Sequence, residues 1–364
     1  MLFWKRSPSV LRIDAPRRRA TGRGVRVSAA VDGRTIWFES ADAELAASPE
    51  AFGSLLLIPA LHWRRPLAIR PSVCAVWAAG VQRIVPLVSG WWGYEPLPLQ
   101  LTTAATAPVP RQRTALCFSG GVDSFFTLLR GPRPVDLLVC AVGYDVKLRD
   151  AKRCAMVEGA VRAVAAEMGR RAVLVTSNLR RHRAVRRVPW LRSCGGALAA
   201  LGHVLSGEAG RLVISAGLQL ADDYPAGSRW DVDPYFSSAA VKIEHAGAEF
   251  GRAEKLRSIA DEDIVRRHLR VCWENRNSRS NCCQCEKCAR TMLILESCGQ
   301  LGRYDSFAGG RGLLDTLERL AAVPDLVRPV YESLLHGGPS EPYATAVRRL
   351  LARSGPACGP ACRP

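Results

Sequence analysis

Apolar and polar positions change period along the chain, and the change organises it. Val25–Val31 and Thr35–Glu39 alternate apolar and polar around Asp32-Gly33, the pattern of a β-hairpin with a two-residue turn. Residues Glu44–Trp63 read as a helix and its exit, and Leu97–Thr102 as another strand. Pro108 and Pro110, followed by Arg111-Gln-Arg113, read as a linker, so residues 1–106 are expected to form an α+β unit of their own. From Arg113 onward short apolar runs alternate with amphipathic stretches. Strands are expected at Ala115–Phe118, Val135–Gly143, Ala172–Thr176 and Leu212–Ala216, with helices after Asp123, over Asp150–Met168 and over Cys194–Leu205. Alternation of this kind predicts an α/β domain over about 113–300, built on a doubly wound parallel sheet. Residues 301–364 are expected to be a helical extension with a disordered Gly/Pro-rich tail, in which Cys358 and Cys362 are bystanders.

Composition adds little about class: at 364 residues, 48% hydrophobic and 23% charged, the chain is ordinary globular material. Charge changes the picture more. The formal net charge is +18, and of the 51 basic residues only Lys5, Lys147, Lys152, Lys242, Lys255 and Lys287 are lysines. Such a surface attracts polyanions. Nine arginines against one acid, Glu167, lie between Arg162 and Arg192, and Arg180-Arg-His-Arg-Ala-Val-Arg-Arg187 follows the third strand. That segment reads as an RNA-binding face with Trp190 available for stacking, as a substrate-facing loop, or as a solvated helix surface. Trp91-Trp92 reads as packing or as a stacking surface. The start Met1-Leu-Phe-Trp-Lys-Arg has no apolar run of a secretory signal after it, and the longest apolar stretch, Ala75–Val88, is broken by Gln82 and Arg83. The expectation is a cytoplasmic protein with no membrane partner, whose 13 cysteines serve metal binding or catalysis and not disulfides.

The chemistry concentrates in Ala115-Leu-Cys-Phe-Ser-Gly-Gly-Val-Asp-Ser124. A strand, a Ser-Gly-Gly turn and a helix start make an anion cradle: glycines allow close approach, and the helix dipole adds positive potential. The hydroxyls of Ser119 and Ser124 can add hydrogen bonds. No Gly-Lys-Ser/Thr follows, and Gly-x-Gly-x-x-Gly is absent, so neither the Walker loop nor the dinucleotide fingerprint applies.

A second cluster, Cys272, Cys282, Cys285 and Cys288, has the spacing C-x9-C-x2-C-x2-C. Two-residue gaps let thiolates converge on one ion, and four-cysteine closure with no open position describes a structural zinc site. An iron–sulfur cluster and unmetallated thiols are the rival readings. Cys283 is a competing ligand, but only Cys282 keeps the two-residue spacing.

Ser119-Gly-Gly-Val-Asp-Ser124 resembles the pyrophosphate loop of the PP-loop ATP pyrophosphatases, at all six positions. Together with the four cysteines C-terminal to the sheet, it resembles the 7-cyano-7-deazaguanine synthase branch of that superfamily. Cys283 stands where that branch usually has Gly. The resemblance covers about residues 113–296. After the fourth strand, Gly217, Gln219, Asp222, Tyr224 and Pro225 follow the synthase pattern, with Gln219 in place of Asn. The synthase then continues Asp-Cys-Arg-Pro, whereas this chain has Ala226-Gly-Ser-Arg-Trp-Asp-Val-Asp-Pro234, where substrate would be read. Gly251-Arg-Ala-Glu-Lys255 resembles a helix start of the synthase with Arg252 in place of Lys; a surface helix of mixed charge is the alternative. The chain therefore reads as a divergent relative.

The resemblance implies a HUP-type fold and an ATP-dependent ligase that forms a C–N bond through an adenylate, releasing AMP and pyrophosphate. ATP would be held by Ser119, Gly120, Gly121, Val122, Asp123, Ser124 and Gln219, with Asp123, Ser119 and Arg252 acting in catalysis. Asp123 would see Mg²⁺, and Cys272, Cys282, Cys285 and Cys288 would hold Zn²⁺. Strand ends would bring Asp145, Ser177, Asn178 and Gln219 near the loop. The substrate would carry a carboxylate or amide. RNA and a second copy of the chain stand as further partners. A tRNA-modifying, thiolase-like enzyme and a nucleotide-binding protein without turnover are the alternatives. A thiolase would need a reactive cysteine, and Cys117 is expected to point into the core.

Overall fold

The computed structural model describes residues 9–104, 111–336 and 339–355. The chain divides into two units. One comprises the residues up to Cys117 with Arg133–Asp150 and Gly169–Ala248; the other comprises Phe118–Pro132, Ala151–Met168 and the residues from Glu249. In chain order the elements are β1 (Leu11–Ile13), β2 (Arg17–Thr21), β3 (Gly24–Val31), β4 (Arg34–Ser40), α1 (Pro49–His62), β5 (Leu67–Ile69), β6 (Val73–Cys74), α2 (Ala75–Trp92), β7 (Leu99–Gln100), β8 (Thr103–Ala104), β9 (Thr114–Cys117) and α3 (Val122–Arg130). They continue with β10 (Leu137–Val142), α4 (Ala151–Glu167), β11 (Arg171–Ser177), α5 (Trp190–Val204), β12 (Arg211–Ser215), β13 (Lys242–Ala246), α6 (Arg252–Ile259), α7 (Asp263–His268), α8 (Glu286–Ser297), α9 (Leu313–Arg319), α10 (Arg328–Leu335) and α11 (Tyr343–Arg353).

The first unit carries the thirteen strands found among the described residues, with α1, α2 and α5. Its 11-stranded sheet runs β13-β12-β9-β10-β11-β4-β3-β1-β5-β7, with β2 also paired to β3. The segment from β13 to β11 is wholly parallel. Its strands read as continuous apolar runs because both faces are covered: Leu137, Leu138, Val139, Cys140 and Val142 of β10 are all buried. β13 extends this run beyond the four strands expected. Pro108 and Pro110, read as a linker, lie outside the described residues. The sheet does not stop there: β4 pairs antiparallel with β11 through Thr176↔Glu39 and Ser177↔Phe38. Residues 9–104 therefore share the sheet and its core with the strands that follow.

The β3–β4 hairpin forms as its pattern predicts. Asp32 and Gly33 take φ of 50° and 72°, the left-handed pair that a two-residue turn requires. Val27, Ala29, Val31, Ile36 and Phe38 face one core with α1, where Phe38 and Phe52 meet edge-to-face at 5.6 Å. α1 is buried along most of its length, capped by Ser48 and opened by Pro49. Gly196 of α5 allows close packing: a Cβ there would lie 2.1 Å from the Ser54 carbonyl oxygen of α1.

The second unit is helical, with α3, α4 and α6–α11. The extension after residue 300 forms α9–α11 within it, and Cys358 and Cys362 lie outside the described residues. No helix among the described residues is long and apolar enough to cross a membrane. α2, the apolar stretch at residue 75, packs Trp77, Val81, Ile84 and Val88 into the core of the first unit.

Candidate functional site

The Ser119–Ser124 loop and the segment from Glu249 belong to the second unit, and the fold brings Asp123 and Arg252 together there. Gly120 takes φ of 75°, a conformation that costs an L side chain about 1 kcal/mol or more. Its carbonyl accepts from the Arg270 amide at 2.8 Å, which fixes the turn. α3 begins at Val122 with Gly121 as N-cap, and no side chain caps it. The first-turn N–H groups are therefore left for another acceptor, at the positive end of the helix dipole. The Ser119 side chain is exposed and has no hydrogen bond among the described residues. Ser124, expected to donate outward, is buried and donates to the Gly121 carbonyl at 3.0 Å. It stabilises the loop from inside.

Arg252, the first residue of α6, donates through Nη2 to Asp123 Oδ2 at 2.6 Å. Lys255 Nζ lies 3.8 Å from Asp123 Oδ1, an oxygen that is buried and has no hydrogen bond. Lys255 is 2% exposed, so α6 is not the mixed-charge surface helix that its sequence also allowed. The spacing shows why: Lys255 lies on the face that buries Leu256 and Ile259. Arg290 of α8 is a third cation that sequence reasoning missed. Its Nε lies 2.9 Å from Glu286 Oε1, off the hydrogen-bond direction, and its Nη2 donates to Glu286 Oε2 at 3.4 Å. Burial, and then the neighbouring charge of Arg252, push the Arg290 guanidinium below its ordinary value. Three cations against two carboxylates in a largely buried cluster favour an anionic ligand.

The four cysteines converge in the same unit. Cys272, Cys282, Cys285 and Cys288 are buried, with their Sγ atoms all within 4.8 Å of one another. Such a cluster could hold a metal ion such as zinc. Cys285 is the N-cap of α8 and Cys288 stands in its first turn, so the two-residue spacing is set by a helix start. Asn281, wholly buried, holds the Cys272 segment in place: Oδ1 accepts from the amides of Val271 and Cys272 at 2.8 and 3.2 Å, and Nδ2 donates to the Leu269 carbonyl at 2.8 Å. The Asn275 amide donates to Cys272 Sγ at 3.3 Å. Hydrogen bonds from Cys285 and Cys288 pull the Cys272 thiol well down; the contact with Cys272, together with burial, pushes Cys285 up to about 12, and contacts with Cys272 and Cys285 push Cys288 higher still. A bound cation would hold these sulfurs as thiolates.

Cys283 is not part of the cluster. Its Sγ points to the carbonyls of Asn281 and Phe307, and burial raises its thiol. Its φ of 53° is a left-handed conformation that favours glycine.

Gln219 and the segment after β12 belong to the first unit. The Gln219 side chain donates to Asp222 Oδ1 and its amide to Asp222 Oδ2, both at 3.1 Å, closing a tight turn. In the divergent stretch that follows, Asp233 is fully buried; Ser228 donates to its Oδ2 at 2.8 Å and His245 Nδ1 lies 2.8 Å from the same oxygen. Ser177 donates to the Trp37 carbonyl at 2.7 Å, while Asn178 accepts from the Trp37 amide and donates to the Thr35 carbonyl, both at 2.9 Å. Both side chains, expected near the loop, are engaged by β4. Asp145 is exposed.

The arginine-rich segment is partly structural. Arg180 stacks on Trp190 at 4.4 Å, His182 is buried against the Val31 carbonyl, and Arg183 donates to the Asp32 carbonyl at 2.7 Å. Trp91 and Trp92 pack edge-to-face at 5.8 Å, with Arg229 over Trp91 at 4.9 Å and Arg192 over Trp92 at 5.4 Å. They form a half-buried aromatic–guanidinium cluster packed against the core. No protein-family model, curated protein or solved structure matches the chain.

Proposed function

We propose that this chain is an ATP-dependent adenylating ligase related to the 7-cyano-7-deazaguanine synthases, with ATP held through its β- and γ-phosphates at the Ser119–Ser124 loop. The observation that carries the reading is the uncapped start of α3 beside the Arg252–Lys255–Arg290 cluster, on a glycine turn. The strand order β13-β12-β9-β10-β11 supports it. Counted from β9, that order is 5-4-1-2-3, a doubly wound arrangement. β9 runs directly into the loop.

The substrate oxygen attacks the α-phosphorus, the bond to the β-phosphate bridge breaks, and pyrophosphate leaves as the adenylate forms. A nitrogen nucleophile then displaces AMP. The chain's residues supply positioning and charge: first-turn amides and Ser119 bind the phosphates, and Arg252 and Lys255 offset the charge that develops on pyrophosphate. Asp123 Oδ1, buried without a hydrogen bond, fits a Mg²⁺ ligand, and Mg²⁺ would neutralise phosphate charge there. The cysteine cluster fits structural zinc and takes no part in the chemistry.

The thiolase alternative is less well supported. Burial pushes the Cys117 thiol far up and that of Cys194 up to about 12, and it also raises Cys283 and Cys298. None of these has the lowered pKa of a sulfur nucleophile. The test is the product of ATP consumption in the presence of small-molecule extracts. AMP with pyrophosphate supports the ligase; ADP with phosphate contradicts it.

A further inference from the structure

The sheet has a second face in its N-terminal half. Val27, Ala29, Val31, Ile36 and Phe38 point to the core, so their neighbours point the other way. Cross-strand pairs place Arg17 opposite Ser28, Arg19 opposite Arg26, and Ser28 opposite Trp37 on this outward side. Arg12 of β1, opposite Ala68, shares it, and Arg70 after β5 lines the same groove as Arg17 and Ser28. Glu39 is the one buried residue among these outward positions.

The edge is shaped by a bulge. β1 pairs Ile13 with Val31 and β2 pairs Arg17 with Ser28, so three residues, 14–16, stand against two of β3. At the bulge a groove of about 600 Å³ opens between Arg17 and Arg70, floored by Ser28 and Ala30. That volume is in the range of about 300–1,000 Å³ usual for ligand sites.

Charge on this face is one-sided. Asp14 is paired with Arg70 at 3.1 Å, and Glu39 with Arg26 through two contacts of 3.1 and 3.0 Å. Arg12, Arg17 and Arg19 are exposed and have no ion pair among the described residues. Beside them the Arg26 guanidinium lies over the Trp37 ring at 4.4 Å, a cation–π pair of two flat groups.

We propose that this face binds single-stranded nucleic acid, with Arg12, Arg17 and Arg19 on the phosphates and the Arg26–Trp37 stack receiving bases. Three guanidinium groups spaced along an open sheet suit a flexible polyanion, and planar stacking surfaces suit unpaired bases. A lipid surface fits less well, because the Arg26 guanidinium covers a face of the half-buried Trp37 ring that a bilayer anchor would present. The proposal is independent of the ligase reading and of the Arg180–Arg187 segment.

The test is fluorescence anisotropy with an oligouridine and an oligothymidine of about 20 nucleotides, in the several-nucleotide range of such sites, across a salt series. Wild type is compared with R17E/R19E, and with R181E/R187E as a control that reverses equal charge elsewhere. Binding should weaken at least about tenfold in R17E/R19E. The salt slope should fall by roughly 1.4, about 0.7 for each phosphate no longer neutralised, and the control should stay within about twofold of wild type. Melting curves check folding, and R12Q/R17Q repeats the test with a milder change. Equal losses in both charge-reversed variants, an R17E/R19E variant that binds like wild type, or wild type that binds anionic phosphatidylserine vesicles but neither oligonucleotide would overturn the proposal. A preference between RNA and DNA identifies the source of the strand.

Discussion

Arg252 Nη2 and Asp123 Oδ2, 129 residues apart in sequence, form a 2.6 Å charge-assisted hydrogen bond at the start of two helices, α3 and α6. The contact joins the glycine loop to the region before the cysteine cluster. It also leaves Asp123 Oδ1 buried without a hydrogen bond. Asp123→Asn keeps the side-chain shape and removes the charge. AMP formation should fall at least about 100-fold, the scale of losing one electrostatic group in a preorganised site. Thermal melting should confirm that the variant is folded.

Arg252→Lys and Arg252→Met separate charge from shape. Lysine keeps the charge but loses the planar fork, so ATP affinity measured by calorimetry should weaken less in Arg252→Lys than in Arg252→Met. Equal affinities in the two variants and wild type would remove Arg252 from the site.

The cysteine cluster predicts one bound metal per chain. Cys285→Ser should lower the metal content measured by plasma mass spectrometry and destabilise the protein, because ligand loss removes binding energy from folding. Cys283→Ser should leave metal content unchanged, since that sulfur faces the carbonyls of Asn281 and Phe307.

His203 gives a pH prediction. It is buried in α5, and burial pushes its pKa below the ordinary value near 6.5, against smaller opposing effects of Glu50 and the Phe236 carbonyl. The unfolded state therefore takes up its proton first. Stability from the neutral form is fully present above about 6.5 and is lost as pH falls through the folded-state pKa. The melting temperature should drop between about pH 7.5 and 5, and less steeply in His203→Gln; equal slopes would refute this role.

Much of the sheet is legible because its central strands are short apolar runs. β9–β12 and the β3–β4 hairpin fall where the pattern places them. β13, Lys-Ile-Glu-His-Ala, is not legible because an edge strand with alternating polar residues carries little signal in five positions. The continuity of residues 9–104 with the sheet is hidden because pairing between β4 and β11 is a long-range event with no local signature. At the site, the glycine loop and the cysteine spacing are local and readable. Lys255, Arg290 and Asn281 are not: each looks like a surface polar residue until the fold buries it.

The measurement that tests the central claim most directly is thin-layer analysis of ATP labelled at the α-phosphate. It is incubated with Mg²⁺, a small-molecule cell extract and either wild type or Asp123→Asn. Label should appear in AMP with wild type and not with the variant. Label in ADP, or AMP formed equally by both proteins, would contradict adenylation at this loop.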